Sequence, residues 1–169
     1  METYGRLIDD RKVPYIRQKD VLLELSNLKI RYFNQYDGLV DYISRKYQNT
    51  VEIGIGHFPD VAFALLRKGV NVFATDIKPF YYNSLEVIVD DITVPDFYLY
   101  LSVDLIYSLR PPPELIPYMV RVAKMVSADV IVKPLRSDYV GGNMIRNGST
   151  TLFLLDCDEK DEKKEKRYF

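Results

Sequence analysis

The chain has one cysteine, one histidine and no tryptophan in 169 residues. Cys157 cannot form an internal disulfide, and with His57 as its sole histidine the chain cannot build a Cys/His zinc site. No apolar run approaches the ~20 residues that span a bilayer. The opening METYGRLIDDRK lacks the apolar stretch of a secretory leader. Neither sign of charge dominates: 23 basic side chains against 24 acidic ones leave a net charge of −1, which argues against a basic nucleic-acid coat. The expectation is a cytoplasmic protein with no bound metal, no membrane contact and no indicated nucleic-acid partner.

What is present suits a soluble domain. The composition is 47% hydrophobic and 28% charged, and a chain of this length buries roughly 70% of the surface it exposes when unfolded. Residues 1–34 read as an arm with Pro14, followed by a helix from Asp20 with Val21, Leu22, Leu25, Leu28 and Phe33 at helical spacing. Residues 35–157 carry the main domain, and 158–169 a tail whose first ten residues are all charged.

Within the domain, apolar periodicity alternates between two kinds. Leu39, Val40, Ile43 and Tyr47 mark a helix ending near Asn49; Pro59–Lys68 marks another, with Pro at its start and Gly69 past its end. A further helix is expected over Glu114–Val126. Strands are expected at Val51–Ile55, Val70–Thr75, Glu86–Val89, Val103–Tyr107 and Asp129–Val132. Ile145–Arg146 and Thr150–Leu155 read as a hairpin whose Asn147-Gly148 supplies the positive φ angles.

Strands alternating with helices imply an α/β fold. We expect a mainly parallel twisted sheet of about six strands, helices on both faces, order 3-2-1-4-5 and an antiparallel edge from the hairpin. Ligands of such sheets bind beyond the carboxyl ends of the strands, where the order reverses.

The residues at those ends are the chemically unusual ones. Glu52-Ile53-Gly54-Ile55-Gly56-His57-Phe58-Pro59 follows the first strand, and Gly54 and Gly56 permit a tight turn and close approach of a ligand. Asp76 stands 24 residues beyond Glu52, where an acid accepts from ribose hydroxyls. After the third strand, Asp91 of the Asp90-Asp91 pair suits an adenine amino group, with Ile77 and Ile92 offering apolar surface to the ring. Ser108 and Arg110 follow the fourth strand and are candidates for substrate contact, Arg110 as a planar cation for a phosphate or carboxylate. Lys133 and Arg136 flank Pro134 after the fifth strand and could meet the same anion.

This layout resembles the class I methyltransferases, which bind S-adenosylmethionine on a Rossmann-like sheet. The likeness runs from about residue 35 to residue 135. More narrowly, Glu52–Pro59, Thr75-Asp76, Val89–Ile92 and Ile106–Pro112 resemble the motifs of a small archaeal family of uncharacterised Rossmann-like proteins. The resemblance implies S-adenosylmethionine as cofactor, with Glu52, Gly54, Gly56, Asp76, Ile77 and Asp91 around it and an unknown methyl acceptor. A third glycine is missing, its place taken by Phe58 and Pro59, and Pro59 removes an amide donor that a pyrophosphate would use. Glu52 suits an ammonium or sulfonium group and repels a pyrophosphate. Both features rank S-adenosylmethionine above NAD. The prolines after Ser108 stand too far from it, and without an aromatic residue, to match the signature of exocyclic-amine methyltransferases.

Competing readings stay open at this point. The glycines could form a bare turn, Asp76 and Asp91 could be caps, and Arg110 could pair with Glu114. His57 could serve as a base or as an ordinary helix-start residue. The whole could be a non-catalytic module that binds a nucleoside-containing ligand or a protein. The substrate half is short, which leaves the site to be completed by the N-terminal helices, a second subunit in a homodimer, or a partner.

Overall fold

The computed structural model describes residues 36–135, 140–155 and 157. The expected helix from Asp20, the charged tail and Arg136 lie outside the described residues.

Seven strands form one sheet. They are β1 (Asn49–Ile53), β2 (Asn71–Asp76), β3 (Glu86–Val89), β4 (Leu105–Leu109), β5 (Asp129–Lys133), β6 (Asn143–Asn147) and β7 (Thr150–Leu155), in the order β3-β2-β1-β4-β5-β7-β6. The first five are parallel, in the expected 3-2-1-4-5 order, and the hairpin closes the far side antiparallel. The count is seven and not six because β6 is a full strand. It is β7 that pairs with β5, which leaves β6 at the edge.

The hairpin turn also differs from expectation. Asn147 pairs with Thr150, so the two-residue loop is Gly148-Ser149, and only Gly148 has positive φ (+59°). Asn147 stays in the strand, and its side chain bonds the helix beneath through Gly38 O at 2.9 Å and Asp41 Oδ2 at 3.2 Å.

Among the described residues three α-helices cover the sheet: α1 (Asp37–Lys46), α2 (Asp60–Arg67) and α3 (Ile116–Val126). Helix α1 buries Leu39, Val40 and Ile43 on one stripe, with Asp37 in its first turn and Arg45 and Lys46 in its last, as the helix dipole favours. It packs with α2 on Leu105, Tyr107, Ile131 and Leu152, one face of the sheet. Helix α3 and a 3₁₀ turn at Phe97–Tyr100 cover the other face, over Val51, Ile53, Ile106, Val130 and Val132. The central strands are therefore buried on both sides, which is why they read as continuous apolar runs rather than as alternation. The helix expected from Glu114 begins as a 3₁₀ turn at Pro113–Leu115, because the preceding prolines fix extended φ and cannot donate.

Candidate functional site

The sheet order reverses between β1 and β4, and a cavity of about 440 Å³ opens at their carboxyl ends. The segment from the end of β1 to the start of α2 lines it with Glu52, Gly54, Ile55, Gly56, His57 and Phe58. Leu109 and Arg110 at the end of β4, and Leu135 beyond β5, complete the lining. The volume falls in the range of roughly 300–1,000 Å³ that holds small-molecule ligands.

The turn depends on its glycines. Gly54 has φ +72° and Gly56 φ +51°, values costly to residues with a Cβ. Their amides are committed: Gly54 N–H donates to Thr75 O at 2.8 Å, and Gly56 N–H to Asp76 Oδ2 at 3.0 Å. The Tyr82 hydroxyl donates to Gly56 O at 2.6 Å, which holds the following peptide of the same residue. A Cβ on either glycine would meet nothing within 4 Å, so the space beside the turn is open to a ligand.

Glu52 is 1% exposed and yet lines the cavity. Its register partner in β4 is Tyr107, whose hydroxyl donates to Glu52 Oε2 at 2.8 Å. Burial pushes the Glu52 carboxyl up to about 8, against the lowering pull of the Tyr107 hydrogen bond and of Arg110; Asp60 adds to the rise.

Arg110 has φ +54°, a left-handed conformation rare for a residue with a side chain, pinned by its N–H bonding Lys133 O at 2.7 Å. Its guanidinium lies over the Phe58 ring at 5.6 Å, and Phe58 packs in turn on Tyr36 at 5.3 Å. The expected pairing with Glu114 is not formed: among the described residues the ion pair present joins Arg45 and Asp41.

The other anticipated residues are placed unevenly. Asp76 ends β2 and accepts from two backbone amides, Gly56 N–H and, at 3.0 Å, Lys78 N–H. It therefore builds the turn. Ile77 is 65% exposed beside it, whereas Ile92 is buried in the core and offers no surface to a ring. Asp91 is exposed, and its Oδ1 accepts from Thr93 N–H and Thr93 Oγ1, which hold its carboxyl below the usual range. Its neighbour Asp90 turns inward to Tyr100, whose hydroxyl donates to Asp90 Oδ2 at 2.5 Å. Ser108 is buried and donates to Ile53 O at 2.7 Å, so it ties β4 to β1 and does not reach the cavity. Sequence reasoning missed the roles of Tyr107 and Tyr82. The first follows only from strand register and the second only from the loop's path.

The mainly parallel sheet, the positive-φ glycine turn and a cavity at the strand-order reversal together define a Rossmann-like protein. Within that class the sequence is specific: the model of the uncharacterised protein family UPF0146 matches residues 37–159, and the chain belongs to this family. The UPF0146 protein of Archaeoglobus fulgidus is 40% identical over 122 residues, covering 69% of this chain and 92% of that protein. A Halobacterium salinarum member is 42% identical over 95 residues, covering 56% of this chain and 74% of its own length.

Among solved structures, the chain resembles the sugar N-methyltransferase KedS8 of a Streptoalloteichus species. The TM-score is 0.47 and the identity 11%, over 86% of this chain and 62% of that one. CalS10, a Micromonospora echinaspora amino pentose methyltransferase solved with S-adenosylmethionine bound, gives a TM-score of 0.47 and 11% identity over 86% and 67%. This chain spans about three-fifths of the first of these. At such identities the likeness concerns the course of the backbone only. No helix among the described residues is long and apolar enough to cross a membrane.

Proposed function

We propose that this protein is an S-adenosylmethionine-dependent methyltransferase with a small, undetermined acceptor. The observation that carries the reading is Glu52: a carboxyl group buried in the wall of a cavity at the switch point, beside an open glycine turn. A carboxylate there favours an ammonium or sulfonium head and disfavours a pyrophosphate.

The amides argue the same way. Gly54 and Gly56 spend their N–H groups on Thr75 and Asp76, and Pro59 has none, so few donors remain for phosphate oxygens. The residues present fit the methionine nucleoside. Glu52 would face its charged head, the glycine turn would lie along it, and Asp76 keeps lone pairs for ribose hydroxyls beyond its two amide bonds. Asp76, Asp91 and the exposed Ile77 do not line the cavity, so the ribose and adenine would extend beyond it to meet them. When bound, the cofactor supplies an electrophilic methyl group. The protein's contribution is to hold the head group and the acceptor in line, since proximity and orientation carry most of such a displacement.

Calorimetric titration with S-adenosylmethionine, S-adenosylhomocysteine, NAD and ATP tests the reading. Tighter binding of either methionine nucleoside than of NAD or ATP is expected, and the reverse ranking would overturn it. One observation favours a second reading, a binding module without catalysis: Ser108, the candidate for substrate contact after β4, is consumed by Ile53 O. Nucleoside binding with no methyl transfer to any acceptor in a cell extract would favour that version.

A further inference from the structure

Two cations stand at the carboxyl ends of neighbouring strands: Lys133 ends β5 in register with Leu109, the last residue of β4, and Arg110 is the residue that follows. The two are tied through the backbone, Arg110 N–H to Lys133 O at 2.7 Å. Neither has an acidic partner among the described residues: Arg110 lies over Phe58, and the Lys133 ammonium donates only to Pro134 O at 3.2 Å.

Glu52, which lines the same cavity, is a weak counter-charge for Arg110: it is buried against Tyr107, and burial outweighs the pull of Arg110 and holds its carboxyl above the usual range. The strain is visible on the lysine. Burial and then the Arg110 charge hold the Lys133 ammonium below the usual range. A left-handed backbone at Arg110 is also a cost without structural return, since glycine would make the same turn more easily. Two like charges on neighbouring strand ends, one of them lining the cavity and set over an aromatic ring, repel each other, and an anion would relieve that repulsion.

We propose that Arg110, from the cavity lining, and Lys133, on the neighbouring strand end, form an anion site that takes a phosphate or carboxylate group. Its part in a methyl-transfer centre rests on the reading above; the site itself does not. Two sources share this chemistry: the α-carboxylate of the methionine nucleoside, and an acidic group on the acceptor.

Inorganic phosphate titrated into the full-length protein, followed by calorimetry and by the NMR shift of the Lys133 Cε protons, tests the site. Saturable binding is expected, with the Lys133 pKa rising as phosphate binds. Arg110→Gln should weaken phosphate by about tenfold or more, Lys133→Gln by a smaller factor, and Arg110→Lys should restore only part of the loss. Arg110→Gly, which suits the left-handed backbone, provides a second variant should Gln perturb the fold. Repeating the titration at saturating S-adenosylhomocysteine separates the sources: competition assigns the site to the cofactor's carboxylate, independent binding to the acceptor. Phosphate binding with no S-adenosylhomocysteine binding would leave the anion site standing and defeat the methyltransferase reading. Absent or unsaturable phosphate binding, or equal affinity in wild type and all folded variants, overturns the proposal.

Discussion

The Tyr107 hydroxyl donates a 2.8 Å hydrogen bond to Glu52 Oε2 across neighbouring parallel strands, joining two side chains that are both almost entirely withdrawn from solvent. The bond accounts for how an acid is tolerated in the second-last position of a core strand. The bond does not set the acid's protonation, because burial acts against it. Desolvation outweighs the hydrogen bond and keeps the carboxyl neutral until about pH 8.

The first prediction concerns stability. The folded protein holds the Glu52 proton up to about pH 8, while the unfolded chain releases it near 4.5. Between those values the native state binds more protons, so this group's contribution falls as pH rises, by up to ~1.4 kcal/mol per pH unit. Glu52→Gln keeps an acceptor for Tyr107 and removes the titration. Its melting temperature should match wild type near pH 4.5 and exceed it increasingly toward pH 8. A constant difference across that range would show that Glu52 is ionised in the fold.

The second follows for the ligand. A cation placed beside Glu52 favours the carboxylate, so binding should release a proton below pH 8. The affinity for S-adenosylhomocysteine should therefore rise with pH, by up to about tenfold per unit, and level off near 8. In Glu52→Gln the affinity should drop and lose that slope. Calorimetry in two buffers of different ionisation enthalpy measures the released proton directly, and zero release at pH 7 would contradict the assignment.

Asp76→Ala tests the turn and the ligand together. The carboxylate holds the Gly56 and Lys78 amides, so its removal should cost roughly 1–3 kcal/mol of stability, and S-adenosylhomocysteine affinity should fall by about ten- to a hundredfold. Thermal melts and calorimetry separate the two effects. An unchanged affinity in a folded variant would remove Asp76 from the ligand's contacts and leave it as a structural clamp.

Most of the fold was legible because each element carried its own signal. The parallel strands were continuous apolar runs, Pro59 and Gly69 bracketed α2, and the glycine turn pointed to the end of β1. What escaped depended on register. Tyr107 faces Glu52 only because β4 pairs with β1 at that offset, and Ile92 turns inward where sequence placed it at the ligand. Arg110 was legible as a cation but not as a residue without Glu114, since the prolines carry the chain away before a helical i,i+4 pair can form. The Asn147 turn was misplaced by one residue because its side chain is claimed by α1, a contact 109 residues distant in sequence.

That contact supplies the last prediction. Gly38 lies in the first turn of α1, where alanine would normally favour a helix by up to ~1 kcal/mol. Here a Cβ would come 2.0 Å from Asn147 O and 2.8 Å from the Thr150 side chain, distances that the hairpin backbone cannot absorb without moving. The Gly38 N–H also donates to Thr150 Oγ1 at 3.2 Å, so displacement of the hairpin would break bonds in both directions. Gly38→Ala should therefore destabilise by roughly 3 kcal/mol, which is about 6–12 °C in melting temperature for a chain of this size. The cavity is built from other elements, and ligand affinity in the folded variant should be unchanged. A melting temperature at or above wild type would show that helix propensity wins and that the hairpin packs more loosely on α1 than these distances require.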